Sequence, residues 1–346
     1  MQENVNPNSN LDNINCTKTI LMLIIVAYHS MCFFTGKWFN QEPVFESVTI
    51  PIIVDILNSF HVFAFVLLSG YLFYYLKEEK SRYRSLKEVI GKKFKRLVIP
   101  YIFLNIFWVI PFYIKYFNND IVEIVKRYVL GTSPNQLWFV LMLFWTFLIT
   151  YVLWNLLTKN ILFGAVTVGI LFILGNIGTS VLPNVFQILA ALKYVMFFWI
   201  GMMLRKYSNN FLYKIPSGLY IVLYLSVLYI YNSRLLTVEN EMVTTVIDVC
   251  VKGAINIIGA LMAFFVLNKI SCRIKNNRSI AFIGKYSFSI YLFHQQIIYL
   301  LIDQFNGKMY PFTMVCVCFI VSLVCSLAIS VLLSKNRFTR MCIGMK

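Results

Sequence analysis

Ten long apolar stretches, spread over nearly all of a 346-residue chain, limit the possible folds more than any other feature of the sequence. A hydrocarbon core about 30 Å thick is crossed by a helix of about 20 apolar residues, and backbone polar groups inside it must be satisfied within the helix itself. The sequence therefore predicts an all-α fold, a polytopic membrane helix bundle with about ten transmembrane helices. The stretches lie near residues 18–35, 51–76, 97–117, 137–157, 161–182, 185–204, 216–231, 243–268, 280–302 and 311–333.

Composition excludes a soluble globular protein. Hydrophobic residues make up 59% of the chain and charged residues 13%, and the mean hydropathy is +0.72. The first 17 residues are polar and rich in Asn, without the basic region and small-residue cleavage site of a signal peptide. We therefore expect a disordered cytoplasmic lead at 1–17, one membrane domain at 18–334 and a basic cytoplasmic tail at 335–346.

The distribution of Lys and Arg predicts the orientation of the bundle. Of the 31 basic residues, 22 fall on the side that carries Lys18 and the loop 77–96. Because positively charged loops stay cytoplasmic, both termini are predicted to be cytoplasmic. The opposite side carries six: Lys37, Lys115, Lys126, Arg127, Arg234 and Lys308.

The net charge of +17 has two interpretations. The charges could serve topology and contact with anionic membrane lipids, or the loop 77–96 could also attract a polyanionic cytoplasmic substrate such as a CoA ester. The basic residues occupy short juxtamembrane loops and not a separable domain, so we expect no nucleic-acid partner.

All three histidines, His29, His61 and His294, fall within predicted spans, where titratable groups are costly and often functional. Lys18 and His29 are eleven residues apart, which on a helix separates them by about 20° in azimuth and about 16 Å along the axis. They therefore share one face, with a cation at the cytoplasmic boundary and an imidazole near mid-membrane. Alternatively, Lys18 anchors the helix at the interface and His29 only packs against a neighbouring helix.

Two further spans carry polar residues on one face. In the ninth span, Gly284, Ser287, Tyr291 and His294 recur at steps of three and four and form an inward sector of about 80°. His61 belongs to a stretch with Asn58 before it and Ser69–Gly70 after it. A small-residue pair of this kind favours close helix packing over catalysis.

The cysteines indicate no metal site. Cys316 and Cys318 form a C-x-C pattern, but together with Cys325 they lie in an apolar helix, where a small buried thiol is the expected role.

These residues stand in motifs that resemble those of the acyltransferase-3 family of integral membrane acyltransferases, and more closely its branch similar to fucose 4-O-acetylases. That family typically begins with a basic residue, usually Arg, then ten residues and a His, as Lys18 and His29 do here. Further motifs follow in family order: FHVFAFVLLSGYLF, KRLVIPYIF, LWFV, FFWIGMMLRKY and IGKYSFSIYLFHQ. Phe63 stands where the family usually has Pro.

The resemblance implies transfer of an acyl group, usually acetyl, from cytoplasmic acyl-CoA to a hydroxyl of a cell-surface or lipid-linked glycan, without a bound cofactor. His29 would be the general base or, alternatively, an acyl-carrying nucleophile, since a neutral imidazole removes protons near neutral pH. Lys18 and Arg96 would bind the CoA phosphates, although Arg96 could be only a positive anchor. His61 and His294 would line the same cavity and bind acceptor hydroxyls or orient the donor carbonyl.

The remaining candidate residues would complete that cavity. Trp138 offers a flat face on which a sugar or the adenine could stack, or it is an interface anchor. Asn58, Ser69, Ser287 and Tyr291 are expected to line the substrate cavity.

The main alternative function is a transporter or flippase, which would also place Lys and His within a bundle, but the sequence has no repeated halves. An inactive sensor of the same fold is a third possibility. Because no extra extracytoplasmic domain follows the last span, we expect a free-standing enzyme, in a bacterial plasma membrane, that acts on a capsule, exopolysaccharide, O-antigen or lipid-linked unit.

Overall fold

The computed structural model describes residues 7–36, 38–117, 120–132, 135–208, 211–233 and 241–345. It is 83% helical, and the described residues contain no strand. The all-α membrane bundle predicted from the hydropathy pattern is therefore confirmed. Two of the cations assigned to the non-cytoplasmic side, Lys37 and Arg234, lie outside the described residues.

The described residues form sixteen α-helices. They are α1 (Pro7–Met31), α2 (Thr49–Asn58), α3 (His61–Tyr74), α4 (Leu86–Lys93), α5 (Ile99–Leu104), α6 (Ile110–Tyr116), α7 (Ile121–Val129), α8 (Trp138–Val152), α9 (Trp154–Lys159), α10 (Ile161–Val181), α11 (Ile188–Lys206), α12 (Ser217–Asn232), α13 (Glu241–Ile274), α14 (Arg278–Phe305), α15 (Pro311–Leu333) and α16 (Arg337–Cys342).

Seven segments of the described chain are long and apolar enough to cross a membrane: Leu11–Thr35, Thr49–Glu79, Leu86–Tyr116, Ile161–Val181, Val185–Lys206, Ile247–Ile274 and Pro311–Leu333. Helices α8 and α12 are apolar but shorter. Helix α14 has 28 residues, but it buries Ser289, His294, Gln295 and Gln296. Polar residues of this kind face the interior of a membrane bundle. The count of ten transmembrane helices and the location of both termini remain predictions.

The first helix begins earlier than the sequence suggested. Helix α1 starts at Pro7, although we expected a disordered lead through residue 17. The side chains of Asn13 and Thr17 are buried against α13, where Asn13 Nδ2 donates to Cys272 Sγ at 3.0 Å and Thr17 Oγ1 lies 2.9 Å from Ser271 Oγ. These tertiary hydrogen bonds stabilise a polar helical turn that local composition does not favour.

Helix α1 lies at the centre of the bundle and packs against α3, α13, α14 and α15. Behind it, α3 and α11 approach each other closely at Gly70 and Gly201. A Cβ atom on either glycine would overlap a backbone carbonyl of the facing helix, that of Phe198 or that of Leu67. Gly70 is therefore a packing position, as the Ser–Gly pair indicated, and it holds α3 close to α11.

The segment from α4 to α6 contains two π-helical turns, Phe94–Val98 and Asn105–Val109. Each precedes a proline, Pro100 or Pro111, at the start of the next helix. Because Pro100 has no N–H, it cannot donate to the carbonyl of Arg96 four residues earlier. The resulting wide turn carries Arg96, and π-helical turns often occur at functional positions.

Candidate active site

Four neighbouring cavities form a row, and α1 lines the first three of them. The basic bowl is lined by Lys18, Arg96, Lys275 and Lys285, and the apolar cavity by Lys18, Met22, Phe65 and Leu143. The histidine cavity is lined by His29, His61, Gln136 and Tyr291, and the aromatic vestibule by Trp138, Tyr194, Tyr231 and Asn256. The first three follow the axis of α1 in order, because their lining residues on that helix run from Asp12 to His29.

Neighbouring cavities share lining residues and therefore adjoin each other. Lys18, Arg96 and Ser287 line both the bowl and the apolar cavity. Ile25, Phe139 and Tyr291 lie between the apolar and histidine cavities. Asn58, Val62 and Trp138 line both the histidine cavity and the vestibule. The row thus runs from the basic bowl near Lys18, past His29, to the aromatic vestibule.

The hydrogen bonds of His294 determine its tautomer. Its Nδ1 lies 2.7 Å from the carbonyl oxygen of Tyr291 and 3.3 Å from that of Ile290. Because a carbonyl oxygen only accepts, Nδ1 of His294 carries the proton and its Nε2 is an acceptor.

The proton arrangement of His29 follows from that of His294. Nδ1 of His29 lies 2.7 Å from Nε2 of His294, so in the neutral pair His29 donates from Nδ1. Its Nε2 is then unprotonated and can accept a proton. This arrangement leaves the histidine cavity with an imidazole whose orientation is held by a second imidazole behind it.

His61 has the same tautomer for a different reason. It begins α3 directly after the break at Ser59–Phe60, and its Nδ1 donates to the carbonyl of Leu57 at 2.6 Å. Nε2 of His61 is therefore also an acceptor. Tyr28 packs between the two cavity histidines in space, with its ring centroid 4.3 Å from that of His61 and 5.0 Å from that of His29.

The segment after α1 packs against His29. The Trp38 ring stacks on the imidazole of His29 at 5.6 Å with an interplanar angle of 18°. Asn40 Nδ2 donates to the carbonyl of Tyr116 at 2.6 Å, and Gln41 Nε2 donates to Asp303 Oδ1 at 2.8 Å. These bonds hold Trp38 in place, and no sequence pattern indicated its role.

Gln136 connects the start of α8 to α14. Its backbone N–H donates to Gln295 Oε1 at 2.9 Å, and its Nε2 donates to Gln296 Oε1 at 2.9 Å and to the carbonyl of Leu292 at 3.0 Å. The Tyr291 hydroxyl donates to the backbone carbonyl of Gln136. This buried network fixes the wall beside His294. Its only trace in the sequence is the polar PNQ stretch before the LWFV motif.

The Lys18 end of the row is basic and partly aromatic. Lys18 Nζ lies 5.5 Å from the centroid of the Phe65 ring. Lys93 also lines the apolar cavity and is buried, with Nζ 3.3 Å from the Phe147 ring centroid and 5.1 Å from that of Tyr83. In the loop before α4, burial raises the pKa of the Tyr83 hydroxyl, which therefore stays a neutral donor.

Nine of the residues selected from the sequence line the row. His29, His61, Asn58, Trp138 and Tyr291 line the histidine cavity, and Lys18, Arg96, Ser69 and Ser287 line the apolar cavity. His294 differs from the expectation that it lines the same cavity: it is completely buried behind His29, because its Nε2 is bonded to that residue. Among the described residues, no group of three or more His, Cys, Asp or Glu side chains could hold a metal ion.

Comparison with known proteins supports the motifs identified above. A protein-family model described as an acyltransferase domain, that of the acyltransferase-3 family, matches residues 11–332. Comparisons with curated proteins and with solved structures find no match. The matched range includes every residue named here as lining the four cavities.

Proposed function

The chain belongs to the acyltransferase-3 family, and on that premise we propose that this multi-pass membrane acyltransferase moves an acetyl group from cytoplasmic acetyl-CoA to a hydroxyl of a cell-surface or lipid-linked glycan. The observation that carries the proposal is the unprotonated Nε2 of His29 in the histidine cavity. That cavity adjoins the apolar cavity, which contains Lys18 and Arg96, on one side and the aromatic vestibule on the other. We also propose that the chain belongs to the branch similar to fucose 4-O-acetylases and that it lies in a bacterial plasma membrane.

The donor enters from the Lys18 end. Lys18 and Arg96 bind its phosphates, since a positive charge replaces the lost hydration of the anion. The apolar walls formed by Met22, Phe65 and Leu143 accommodate the pantetheine arm. About 16 Å of helix axis separates Lys18 from His29, so the thioester lies far from the phosphates and close to the imidazole.

The acceptor enters from the aromatic vestibule, a cavity of about 760 Å³. Trp138 and Tyr194 present rings whose centroids are 5.8 Å apart, and Asn58 and Asn256 add side-chain amides. Flat apolar faces with a few polar groups suit a sugar, which has both C–H faces and hydroxyls. The vestibule adjoins the histidine cavity at Asn58 and Trp138, so a sugar bound there places a hydroxyl near His29.

The reaction follows from the tautomers. Nε2 of His29 accepts the proton of the acceptor hydroxyl while the hydroxyl oxygen bonds to the thioester carbonyl carbon. The carbon–sulfur bond then breaks, and the CoA thiolate takes the proton from His29. The imidazolium formed between these steps donates from Nδ1 to Nε2 of His294, which stabilises the charge. His61 accepts a hydrogen bond from a second acceptor hydroxyl, because its Nε2 carries no proton.

The test is label transfer. The purified protein is incubated with radiolabelled acetyl-CoA and a panel of bacterial envelope glycans, with His29→Ala as the inactive control. Label in the glycan with wild type and none with the variant is the expected result. Label that remains on the protein would favour His29 as a covalent nucleophile.

A transporter gives a different outcome in the same system. Movement of a glycan across liposomes, with no label transferred to any acceptor, would overturn the enzyme proposal.

A further inference from the structure

The basic bowl contains cations that the proposed reaction has not used. It is a cavity of about 390 Å³ at the start of α1 and α14, and its lining includes Lys275 and Lys285 in addition to Lys18 and Arg96. Asp12 is the one carboxylate among its lining residues. Four cations and one carboxylate therefore surround the same space.

None of these four cations forms a salt bridge among the described residues. The ion pairs found there are Lys92–Glu88, Arg127–Glu123, Arg205–Glu79 and Lys252–Asp248, and none of them includes a bowl residue. Like charges around one cavity repel each other, and the repulsion is relieved by an anion between them. The arrangement favours a ligand with several negative charges.

The shape of the bowl limits which polyanion fits. Lys18, Arg96 and Ser287 also line the apolar cavity, so the bowl continues into an apolar passage toward His29. Lys285 is exposed and Lys275 half-buried, whereas Lys18 lies at the junction. A fitting ligand has a charged end for the bowl and a long, less polar arm for the passage.

We propose that the basic bowl is a nucleotide-polyphosphate site that holds the 3′-phosphorylated ADP end of CoA, with Lys275 and Lys285 on the ribose 3′-phosphate and Lys18 and Arg96 on the diphosphate. The identification of the ligand as CoA rests on the proposed function. The inference that the bowl binds a polyanion rests only on its four cations. Lys275 and Lys285 then select CoA over donors that lack the 3′-phosphate, because removing that phosphate leaves two cations without their partner.

The experiment measures binding without an acceptor. Dissociation constants for CoA and for 3′-dephospho-CoA are determined by equilibrium dialysis with detergent-purified wild type, the Lys275→Gln/Lys285→Gln double variant and Lys335→Gln. Lys335 is an exposed lysine that follows α15 and does not line the bowl, so it serves as the matched control.

The double variant should weaken CoA binding about tenfold or more and leave binding of 3′-dephospho-CoA within about threefold of wild type. Lys335→Gln should bind both as wild type does. The salt dependence of CoA binding should also become shallower in the double variant, as expected when two cation–phosphate contacts are lost. Unchanged CoA binding, or an equal loss for both ligands, would overturn the assignment of the two lysines.

A lipid headgroup could supply the same phosphate chemistry, so a second arm uses vesicles with and without phosphatidylglycerol. If phosphatidylglycerol binding depends on Lys275 and Lys285 while CoA binding does not, the bowl is a lipid site and the proposal is wrong. Failure of the proposed function has a different signature: wild type would bind CoA with the expected lysine dependence but transfer no acyl group.

Discussion

The Nδ1 atom of His29 lies 2.7 Å from the Nε2 atom of His294, on a helix 265 residues later in the chain. Since Nδ1 of His294 is engaged by the carbonyl of Tyr291 at 2.7 Å, protons can be arranged in the neutral pair in only one way. The consequence is an unprotonated Nε2 on His29 and a hydrogen-bond acceptor, Nε2 of His294, behind its Nδ1–H.

His29→Ala should abolish acyl transfer while leaving folding, membrane insertion and CoA binding intact, because the imidazole acts on the acceptor hydroxyl and not on the donor phosphates. Transfer rates at pH 7, size-exclusion profiles and CoA affinity are the measurements. Near-wild-type transfer at pH 7 would contradict the assignment of His29 as the base.

His294 should affect the rate and not donor affinity. His294→Phe removes the acceptor for the His29 Nδ1–H and should lower kcat by about 10²-fold or more, in the range of losses seen when a general base is impaired. His294→Gln should retain much more activity, since its amide oxygen can accept the same hydrogen bond. Equal activity of the two variants would show that His294 only fills space.

Lys18 and Arg96 should determine donor affinity. Lys18→Gln and Arg96→Gln are each expected to weaken acyl-CoA binding by about 1–3 kcal/mol, the range for lost charge-assisted hydrogen bonds. Lys18→Arg should preserve binding because the charge is kept. The measurement is an acyl-CoA titration, with cysteine-accessibility mapping of the loops to check that topology is unchanged. Unchanged affinity in both Gln variants would leave only the anchor role.

Phe139 should control which acyl groups reach His29, since it lies between the apolar and histidine cavities. Phe139→Ala should raise transfer of butyryl relative to acetyl groups by about tenfold or more, the effect expected when a pocket gains room for methylenes. Phe144→Ala, at a buried position of the same helix that lines none of the four cavities, is the control. Rates with the two acyl-CoA donors are compared; the same change in both variants would indicate loss of packing alone.

The sequence by itself determined that the protein lies in a membrane and that its secondary structure is helical. Apolar stretches long enough to span a bilayer predict helices, because no other single-chain segment satisfies its backbone in lipid. The eleven-residue step from Lys18 to His29 placed both on one face, and both line the row of cavities. Helical periodicity is a local property, so it can be inferred without knowing any neighbour.

Only the tertiary structure decided which faces meet. In a membrane bundle, apolar side chains face both lipid and core, so hydrophobic periodicity does not identify the inner side of each helix. The pairing of His29 with His294, the connection of Gln136 to α14 and the stacking of Trp38 on His29 join residues far apart in the chain. The helical turns of α1 that carry Asn13 and Thr17 likewise make hydrogen bonds to α13. These contacts depend on how the helices pack around α1, which is a property of the whole chain and not of any one segment.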